Sequence, residues 1–185
     1  MNRAIFLDRD GVITKPVFDE VRQVERAPWN VDEVELYPNV MSSLEKLTNM
    51  GYSLFIVSNQ PDFAKKLIDI NSLKRVRQCV FEMLLSDKID LVKDYYCFHH
   101  PDFCTCECRK PSPYFLLQAS KIYNINLSES WMIGDRETDV ICGKNAGTKT
   151  IKITNAKSNL SDFVAKDLSE AVEIVDFYNK INKKG

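Results

Sequence analysis

Residues 4–11 read Ala-Ile-Phe-Leu-Asp-Arg-Asp-Gly, and this octet sets the organisation of the whole chain. Its first four residues are apolar and predict a short buried strand. Asp8 and Asp10 follow at the strand's carboxyl end, where side chains of an open α/β sheet point into the ligand-binding crevice. We expect both carboxylates at the rim, with Arg9 turned elsewhere and Gly11 allowing a sharp turn. Paired carboxylates attract Mg2+, although solvated acids in a turn would give the same pattern.

The composition is that of a globular protein, without the excess of basic residues that is typical of nucleic-acid binding. The chain has 185 residues, of which 44% are hydrophobic and 28% are charged, and we expect residues 1–185 to form one domain. The formal net charge of -1 provides no general basic field for a nucleic acid or a membrane. The N-terminus lacks an apolar signal region, and no apolar run has the length of a membrane span. We therefore expect a cytoplasmic protein, and a monomer.

Apolar periodicity predicts strands that alternate with helices. Strands are expected at 4–7, 53–57, 95–98, 131–133 and 150–153, and helices are expected to begin near 39, 71, 112, 138 and 168. Residues 14–39 carry prolines and alternating charges, and we interpret them as a long irregular loop facing the substrate, with an extended piece at 33–36. The alternation predicts an α/β fold, a three-layer Rossmann-like parallel sheet with helices on both faces.

Polar side chains stand at the carboxyl ends of the first, second and fourth predicted strands. In an open parallel sheet these ends line one shared crevice. The fold should therefore gather residues that are distant in sequence, namely Asp8, Asp10, Ser58, Asn59, Asp135 and Asp139.

The acids of this set suit the transfer of a phosphoryl group. A Mg2+ ion held by Asp8, the Asp10 backbone carbonyl and Asp135 would offset the repulsion between the acids and a phosphate monoester. Asp139 is an additional candidate ligand for the same ion. Asp8 is the candidate nucleophile, which would form an aspartyl-phosphate, and Asp10 is the candidate general acid and base.

Other polar residues are candidates for binding the phosphoryl oxygens. Ser58 and Asn59 offer hydrogen bonds, and Lys110 offers a positive charge. Structural alternatives are that Ser58 and Asn59 form a turn and that Lys110 is a surface lysine. For the acids, the alternatives are that Asp135 caps a helix and that Asp139 is a first-turn acid favoured by the helix dipole.

Four of the six cysteines fall within one short loop. In a reducing compartment such clustering favours a metal over disulfides, with free thiols as the alternative. One complete set of four zinc ligands is Cys97, His99, Cys106 and Cys108. Cys104 and His100 are the residues that could replace a member of this set. A fully ligated Zn2+ would be structural, and it would pin the loop that leads to Arg109 and Lys110.

In order and placement, these residues resemble the four motifs of the haloacid dehalogenase superfamily of phosphatases. The motifs, spread over residues 4–147, are Asp8-x-Asp10-Gly-Val, Ser58-Asn, Lys110 and Gly134-Asp135-x-x-x-Asp139. The resemblance implies a phosphatase that uses Mg2+, with its first aspartate as nucleophile and its second as acid and base.

The cysteine loop makes the resemblance specific to a smaller group of phosphatases. Cys-x-His followed by Cys-x-Cys-Arg-Lys-Pro is similar to the D-glycero-D-manno-heptose 1,7-bisphosphate phosphatases and the related histidinol-phosphate phosphatases. This resemblance implies a zinc-binding loop in place of a separate cap domain, and contact between Arg109 and the substrate near its scissile or neighbouring phosphate. Residues 15–38 and 61–65 depart from the family pattern, and both segments belong to the substrate side.

We therefore expect a Mg2+-dependent phosphatase acting on a small phosphorylated sugar, with the C7 phosphate of D-glycero-D-manno-heptose 1,7-bisphosphate as the leading substrate. Histidinol phosphate would use the same chemistry. A polynucleotide 3′-phosphate would fit an uncapped crevice, but the near-neutral charge argues against it. A catalytically silent, zinc-stabilised interaction domain is the alternative outside enzymes.

Overall fold

The structure is a computed structural model that describes residues 2–182. Its strands are β1 Arg3–Leu7, β2 Val17–Asp19, β3 Val24–Arg26, β4 Tyr52–Asn59, β5 Leu91–Cys97, β6 Trp131–Gly134, β7 Lys149–Ile153 and β8 Phe163–Ala165. Its α-helices are α1 Val40–Asn49, α2 Ile70–Ser86, α3 Tyr114–Tyr123, α4 Glu137–Ala146 and α5 Leu168–Asn182. Each strand and helix predicted from periodicity has a counterpart in these lists.

The main sheet has six parallel strands in the spatial order β5-β4-β1-β6-β7-β8. The octet strand β1 lies inside the sheet, paired with β4 on one side and β6 on the other. All three strands therefore end at the same edge, with Leu7 opposite Ile56 and Ile133. The polar residues that follow them are brought to one place by this register.

Alternating side chains of each strand enter two separate cores. Ile5 and Leu7 pack into the core formed with α1, α2 and α5, whereas Ala4 and Phe6 pack into the core formed with α3 and α4. The period of two in a strand produces this division, and burial on both faces explains why the strands are almost continuously apolar. The predicted three-layer α/β class is confirmed.

The prediction of an irregular loop over residues 14–39 is wrong in its central part. Strands β2 and β3 form an antiparallel hairpin, with Val17 opposite Arg26. The Asp19 carboxylate closes its turn by accepting hydrogen bonds from the backbone N–H groups of Val21 and Arg22, both at 3.0 Å. A single 3-10 turn follows at Val31–Glu33. This short, charged hairpin lacks the alternating apolar pattern that predicts a strand.

Two smaller features also differ from the sequence-based expectation. Strand β8 was not predicted, because three residues are too few to show a period. Helix α2 is capped by Asp69, whose carboxylate accepts from the backbone N–H groups of Asn71 and Ser72 at 2.8 and 3.1 Å. The cap therefore lies two residues before the first predicted position.

None of the helices within residues 2–182 combines the length and apolar character needed to cross a bilayer.

Candidate active site

One crevice of about 760 Å³ opens at the carboxyl ends of β1, β4 and β6. Its floor carries acids from the strand ends, including Asp8, Asp10 and Asp135. One wall is the β2–β3 hairpin, and another is the cysteine loop, which contributes Cys106 and Arg109. Because the walls come from segments far apart in the chain, the crevice exists only in the folded protein.

Asp8 lies buried at the centre of the crevice floor. Its Oδ1 accepts the backbone N–H of Arg9 at 2.7 Å and lies 3.0 Å from Lys110 Nζ. Burial raises the pKa of Asp8 to about 7, with Lys110 opposing the rise and the acids Asp139, Asp10 and Asp135 adding to it. The described polar contacts of Asp8 fall on Oδ1, which leaves Oδ2 as the oxygen available to an incoming group.

Asp10 lies beside Asp8 but is held by a different set of donors. Arg9 is buried and does not line the crevice, as expected, but its guanidinium donates to both oxygens of Asp10, at 2.9 Å each. Thr14 Oγ1 donates to Asp10 Oδ1 at 2.8 Å, and Gln60 Nε2 donates to Oδ2 at 2.6 Å. The bidentate arginine fixes the plane of the carboxylate.

Lys110 is buried between two acids. Only 2% of the residue is exposed, so the alternative of a surface lysine is wrong. Its Nζ lies 2.7 Å from Asp139 Oδ1 and 3.0 Å from Asp8 Oδ1, and it donates to the carbonyl of Val57 at 2.6 Å. Burial disfavours the ammonium, but Asp139 and Asp8 prevail and raise the pKa of Lys110. The lysine is therefore held as a cation beside Asp8.

Three carboxylates converge at the same end of the crevice. Oxygens of Asp8, Asp135 and Asp139 lie within 4.8 Å of one another. Within residues 2–182, the buried Asp135 Oδ1 has no hydrogen-bond partner. Burial, followed by the charge of Asp139, raises the pKa of Asp135. An unpartnered buried oxygen in a triad of acids matches the donor set of a hard cation such as Mg2+.

The two acids of the last motif have separate roles in the local structure. The N-cap of α4 is Arg136, so the alternative that Asp135 caps this helix is wrong. Asp139 Oδ2 accepts the backbone N–H of Arg136 at 2.9 Å, while its other oxygen contacts Lys110. Asp139 thus stabilises the first turn of α4 and also anchors the lysine.

The Asp135 side chain fits into the site because the backbone of Gly11 passes close to it. Gly11 has φ +90°, and a Cβ there would lie 2.5 Å from Asp135 Oδ2. Any side chain at this position would therefore push the carboxylate away, which explains the glycine after Asp10.

Ser58 and Asn59 stand at the end of β4, and of the two only Asn59 lines the crevice. Ser58 is buried, and its Oγ accepts a hydrogen bond from Gln60 Nε2 at 2.9 Å, which leaves its hydroxyl proton available. The Asn59 amide instead binds the backbone of Lys110, donating to its carbonyl at 3.0 Å and accepting from its N–H at 3.1 Å. In this structure Asn59 positions Lys110, a task that the sequence did not reveal.

The four predicted zinc ligands come together in the cysteine loop. Their ligand atoms lie within 4.8 Å of one another, and the residues are Cys97, His99, Cys106 and Cys108. Cys97 Sγ lies 3.7 Å from Cys106 Sγ and 3.6 Å from His99 Nδ1, which is 3.4 Å from Cys108 Sγ. A tetrahedron with metal bonds of about 2.3 Å to sulfur and about 2.0 Å to nitrogen has edges of about 3.8 and 3.5 Å. The observed spacings therefore fit Zn2+.

The two alternative ligands lie outside this group of four. Cys104 is exposed, and the His100 ring accepts the backbone N–H of Asp102 at 3.2 Å. Arg109 Nη1 donates to the carbonyl of His99 at 3.1 Å, so the cation is tied to the cysteine loop while it lines the crevice.

Several residues of the site were not predicted from the sequence. Gln60 joins Asp10 to Ser58, and its only signal was its place in the Ser-Asn-Gln motif. The hairpin contributes Arg22 and Arg26 to the crevice wall, and the segment after it contributes Trp29. The only feature of the sequence that pointed to these residues was the long charged segment after Asp10, and its length did not indicate a hairpin.

Comparison with known proteins shows that the chain is similar to phosphatases. Residues 107–176 match a family model described as HAD-hydrolase-like. The chain is 31% identical to a D-glycero-beta-D-manno-heptose-1,7-bisphosphate 7-phosphatase of Helicobacter pylori, covering 94% of this chain and 98% of that protein. It is 30% identical to the Escherichia coli K12 protein of the same name, covering 93% of each.

A solved structure shares the fold. The D,D-heptose 1,7-bisphosphate phosphatase from B. bronchiseptica, crystallised with magnesium and phosphate, aligns with a TM-score of 0.81 at 23% identity. The alignment covers 95% of this chain and 99% of that one.

Proposed function

Because this chain belongs to the HAD-like family of the D-glycero-beta-D-manno-heptose-1,7-bisphosphate 7-phosphatases, we propose that it removes the C7 phosphate of D-glycero-D-manno-heptose 1,7-bisphosphate. The chain is a phosphatase, a phosphoric monoester hydrolase. The observation that carries the proposal is the placement of Asp8 against Lys110 and the carboxylate triad in one crevice. We take residues 1–185 as one phosphatase domain.

The carboxylate triad is the proposed site for Mg2+. Asp8 and Asp135 would supply carboxylate oxygens, and the Asp10 backbone carbonyl is the third proposed ligand. Bound there, Mg2+ would polarise the phosphoryl group and neutralise its charge. Asp139 contacts Lys110 through Oδ1 and accepts the Arg136 N–H through Oδ2, and it is a further candidate ligand for the same ion.

Asp8 is the proposed nucleophile. Its Oδ1 is held by Arg9 N–H and Lys110, so Oδ2 forms the new bond to phosphorus while the bond from phosphorus to the sugar oxygen breaks. Lys110, held as a cation, balances charge on the phosphoryl oxygens. The Ser58 hydroxyl and Arg109 are the other proposed phosphate contacts.

Asp10 is the proposed acid and base. It gives a proton to the departing sugar oxygen, and it then takes one from the water that attacks phosphorus and releases Asp8. Its carboxylate accepts hydrogen bonds from Arg9, Thr14 and Gln60, so reaching the substrate requires that one of these contacts be exchanged.

The cysteine loop has a structural part in this proposal. Zn2+ bound by Cys97, His99, Cys106 and Cys108 would be fully ligated, which leaves no position for a reacting water. It would fix the loop immediately before Arg109 and Lys110, and thereby the two cations of this wall.

A substrate panel tests the proposal. The purified protein is assayed with Mg2+ for phosphate release from the heptose bisphosphate, histidinol phosphate and an oligonucleotide 3′-phosphate. We expect the heptose bisphosphate to have the highest kcat/KM, and Asp8→Asn to lose roughly 10³-fold or more, the scale on which loss of a nucleophile acts. Equal release by Asp8→Asn would remove Asp8 from the mechanism. Faster turnover of histidinol phosphate or of the oligonucleotide would identify that ester as the substrate in place of the heptose bisphosphate.

A silent interaction domain would behave differently. It would bind zinc yet release no phosphate from any ester, and Mg2+ would change neither its activity nor its stability. The complete set of acids argues against this alternative. A cytoplasmic location and a monomeric state remain predictions, to be checked by fractionation and by light scattering.

A further inference from the structure

The carboxylate of Asp10 accepts four hydrogen bonds, two at each oxygen. Arg9 Nε and Thr14 Oγ1 donate to Oδ1 at 2.9 and 2.8 Å. Arg9 Nη2 and Gln60 Nε2 donate to Oδ2 at 2.9 and 2.6 Å. An ionised carboxylate offers about four lone-pair sites, so these donors occupy all of them. A substrate oxygen can therefore approach Asp10 only where one of the four contacts is given up.

The three donors stand behind Asp10 and not in the crevice. Within the described chain, Asp10 lines the crevice, whereas Arg9, Thr14 and Gln60 do not. All three donors are buried, with 0% of Thr14 and 1% of Gln60 exposed. They would therefore act on a bound substrate through the groups that they hold.

The contact from Gln60 can be given up at the least cost. Its Nε2 also donates to Ser58 Oγ at 2.9 Å, so the amide keeps one partner when it releases Asp10. Its backbone N–H donates to the carbonyl of Cys97 at 2.7 Å, which keeps the residue in place. Release of Gln60 would free a lone pair on Oδ2.

The contacts from Arg9 are costly to break. The guanidinium is buried, and its two hydrogen bonds to Asp10 join opposite charges. Separating them would leave a buried cation without its counter-charge, which is among the most expensive changes in a protein interior. The arginine is therefore expected to stay on both oxygens.

The hydroxyl of Thr14 has no spare acceptor in its surroundings. The other oxygen near its Oγ1 is the Arg9 carbonyl, at the longer distance of 3.3 Å. That carbonyl already accepts the backbone N–H groups of Ile13 and Thr14 at 2.8 and 2.9 Å, which use its two lone pairs. Among residues 2–182, the short bond to Asp10 Oδ1 is thus the one good bond that this O–H can make.

We propose that Thr14 is a positioning residue, which anchors Asp10 at Oδ1 so that Asp10 meets the departing sugar oxygen through Oδ2, where Gln60 gives way. This inference rests on the proposed function for the role of Asp10. A proton passes from Asp10 Oδ2 to the sugar oxygen as the bond from that oxygen to phosphorus breaks, and Thr14 keeps its own proton throughout. Since a misplacement of about 1 Å can cost on the order of 100-fold in rate, the anchor matters for this transfer.

Two esters with different leaving groups test the proposal. The heptose 1,7-bisphosphate releases a sugar oxygen that needs a proton, whereas 4-nitrophenyl phosphate releases a phenolate that departs without one. The value of kcat/KM reports the steps up to this departure, so the later attack of water does not enter it. We measure the ratio of kcat/KM for the sugar ester to kcat/KM for the nitrophenyl ester, with Mg2+ present, and Asp10→Asn defines the ratio of an enzyme without its acid.

The variants at the anchor are Thr14→Val, which keeps the shape and loses the hydroxyl, and Thr14→Ser, which keeps the hydroxyl. Thr150→Val is the matched control, because Thr150 is also fully buried and donates from Oγ1 to a carboxylate, that of Asp162, at 2.8 Å. Both residues of this control pair lie outside the crevice lining. Melting temperatures establish that each variant is folded.

We expect Thr14→Val to lower the ratio by about 10-fold, the scale of one hydrogen bond to a charged group. Thr14→Ser and Thr150→Val should stay within about twofold of wild type. Gln60→Met should lower kcat/KM for both esters, because it also releases Ser58, but it should leave their ratio within about twofold of wild type.

A wild-type ratio in folded Thr14→Val, beside a lowered ratio in Asp10→Asn, would overturn the anchor and leave the proposed function intact. An equal loss in Thr14→Ser and Thr14→Val would also overturn it, since the hydroxyl would then not be the cause. A fall in the ratio for Gln60→Met as large as that for Thr14→Val would refute the assignment of Oδ2. A wild-type protein that releases no phosphate from either ester would instead refute the proposed function.

Discussion

The side-chain amide of Asn59 holds the backbone of Lys110 at both of its polar groups. Nδ2 donates to the Lys110 carbonyl at 3.0 Å, and Oδ1 accepts the Lys110 N–H at 3.1 Å. Asn59 ends β4, whereas Lys110 follows the cysteine loop, so these two bonds join separate parts of the site. The lysine is thereby fixed at its backbone by Asn59 and at its ammonium by Asp8 and Asp139.

The first prediction concerns this link. Asn59→Ala removes both bonds and leaves two backbone groups of Lys110 without their partner, each such loss costing about 1–3 kcal/mol where the group is buried. We expect kcat/KM to fall by about 10-fold or more, with a melting temperature lower by a few degrees. Steady-state kinetics and thermal unfolding measure these changes. Asn71→Ala, at an exposed position of α2, is the control, and wild-type kinetics in Asn59→Ala would contradict the link.

The second prediction concerns the charge of Lys110. Lys110→Met keeps most of the volume but leaves two buried acids without their cation, and breaking a buried ion pair on one side costs about 3–5 kcal/mol. Urea unfolding should show a loss of this size, and activity should fall below detection. Adding Asp139→Asn should recover part of the stability, because the uncompensated charge is then gone. Strictly additive losses in the double variant would argue against the pair.

The third prediction is a dependence of stability on pH in protein freed of Mg2+. Because burial raises the pKa of Asp8 from 3.8 to about 7, the folded state binds a proton more tightly than the unfolded state. Stability from this group is therefore complete below pH 3.8 and is lost as the pH rises through about 7. We expect the melting temperature to fall more steeply between pH 5 and pH 8 in wild type than in Asp8→Asn.

Magnesium should reverse this loss. Metal binding favours ionised carboxylates, so added Mg2+ should raise the melting temperature more at pH 8 than at pH 5. Differential scanning fluorimetry across a pH series makes both measurements. The idea fails if wild type and Asp8→Asn have parallel pH profiles.

The fourth prediction distinguishes the proposed zinc ligands from Cys104. Cys106→Ser and Cys108→Ser should lose bound zinc and lower kcat, because the loop before Arg109 and Lys110 is no longer pinned. Cys104→Ser should keep about one zinc per chain, since Cys104 is exposed and lies outside the cluster. Elemental analysis of purified variants provides the readout. Zinc loss from Cys104→Ser with retention in Cys106→Ser would mean that Cys104 is the ligand.

The core of the site was predictable because its residues sit in local patterns. Asp8, Ser58 and Asp135 each follow a run of buried apolar residues, and such runs identify parallel strands without knowledge of their neighbours. Parallel strands present their carboxyl ends at one edge, which brings the three together. The cysteine cluster was predictable for a similar reason, since its ligands share one short segment.

Other features depend on contacts between segments and left no such pattern. The hairpin is stabilised by Asp19, Arg22 and Trp29, which read as ordinary charges and one aromatic residue in a loop. The pairing of Arg9 with Asp10 depends on how the two side chains rotate beyond the strand end, which alternation along the strand does not predict.

The sequence by itself determined the layered α/β fold, the strand-end acids and the composition of the cysteine–histidine cluster, because apolar periodicity and ligand spacing act over a few residues. Only the tertiary structure decided which partner each polar group takes: Asn59 on Lys110, Arg9 on Asp10, and Trp29 on Asp62. Burial is the physical reason. A polar group removed from water must be satisfied by whatever the fold brings within about 3 Å, and distance along the chain does not restrict that choice.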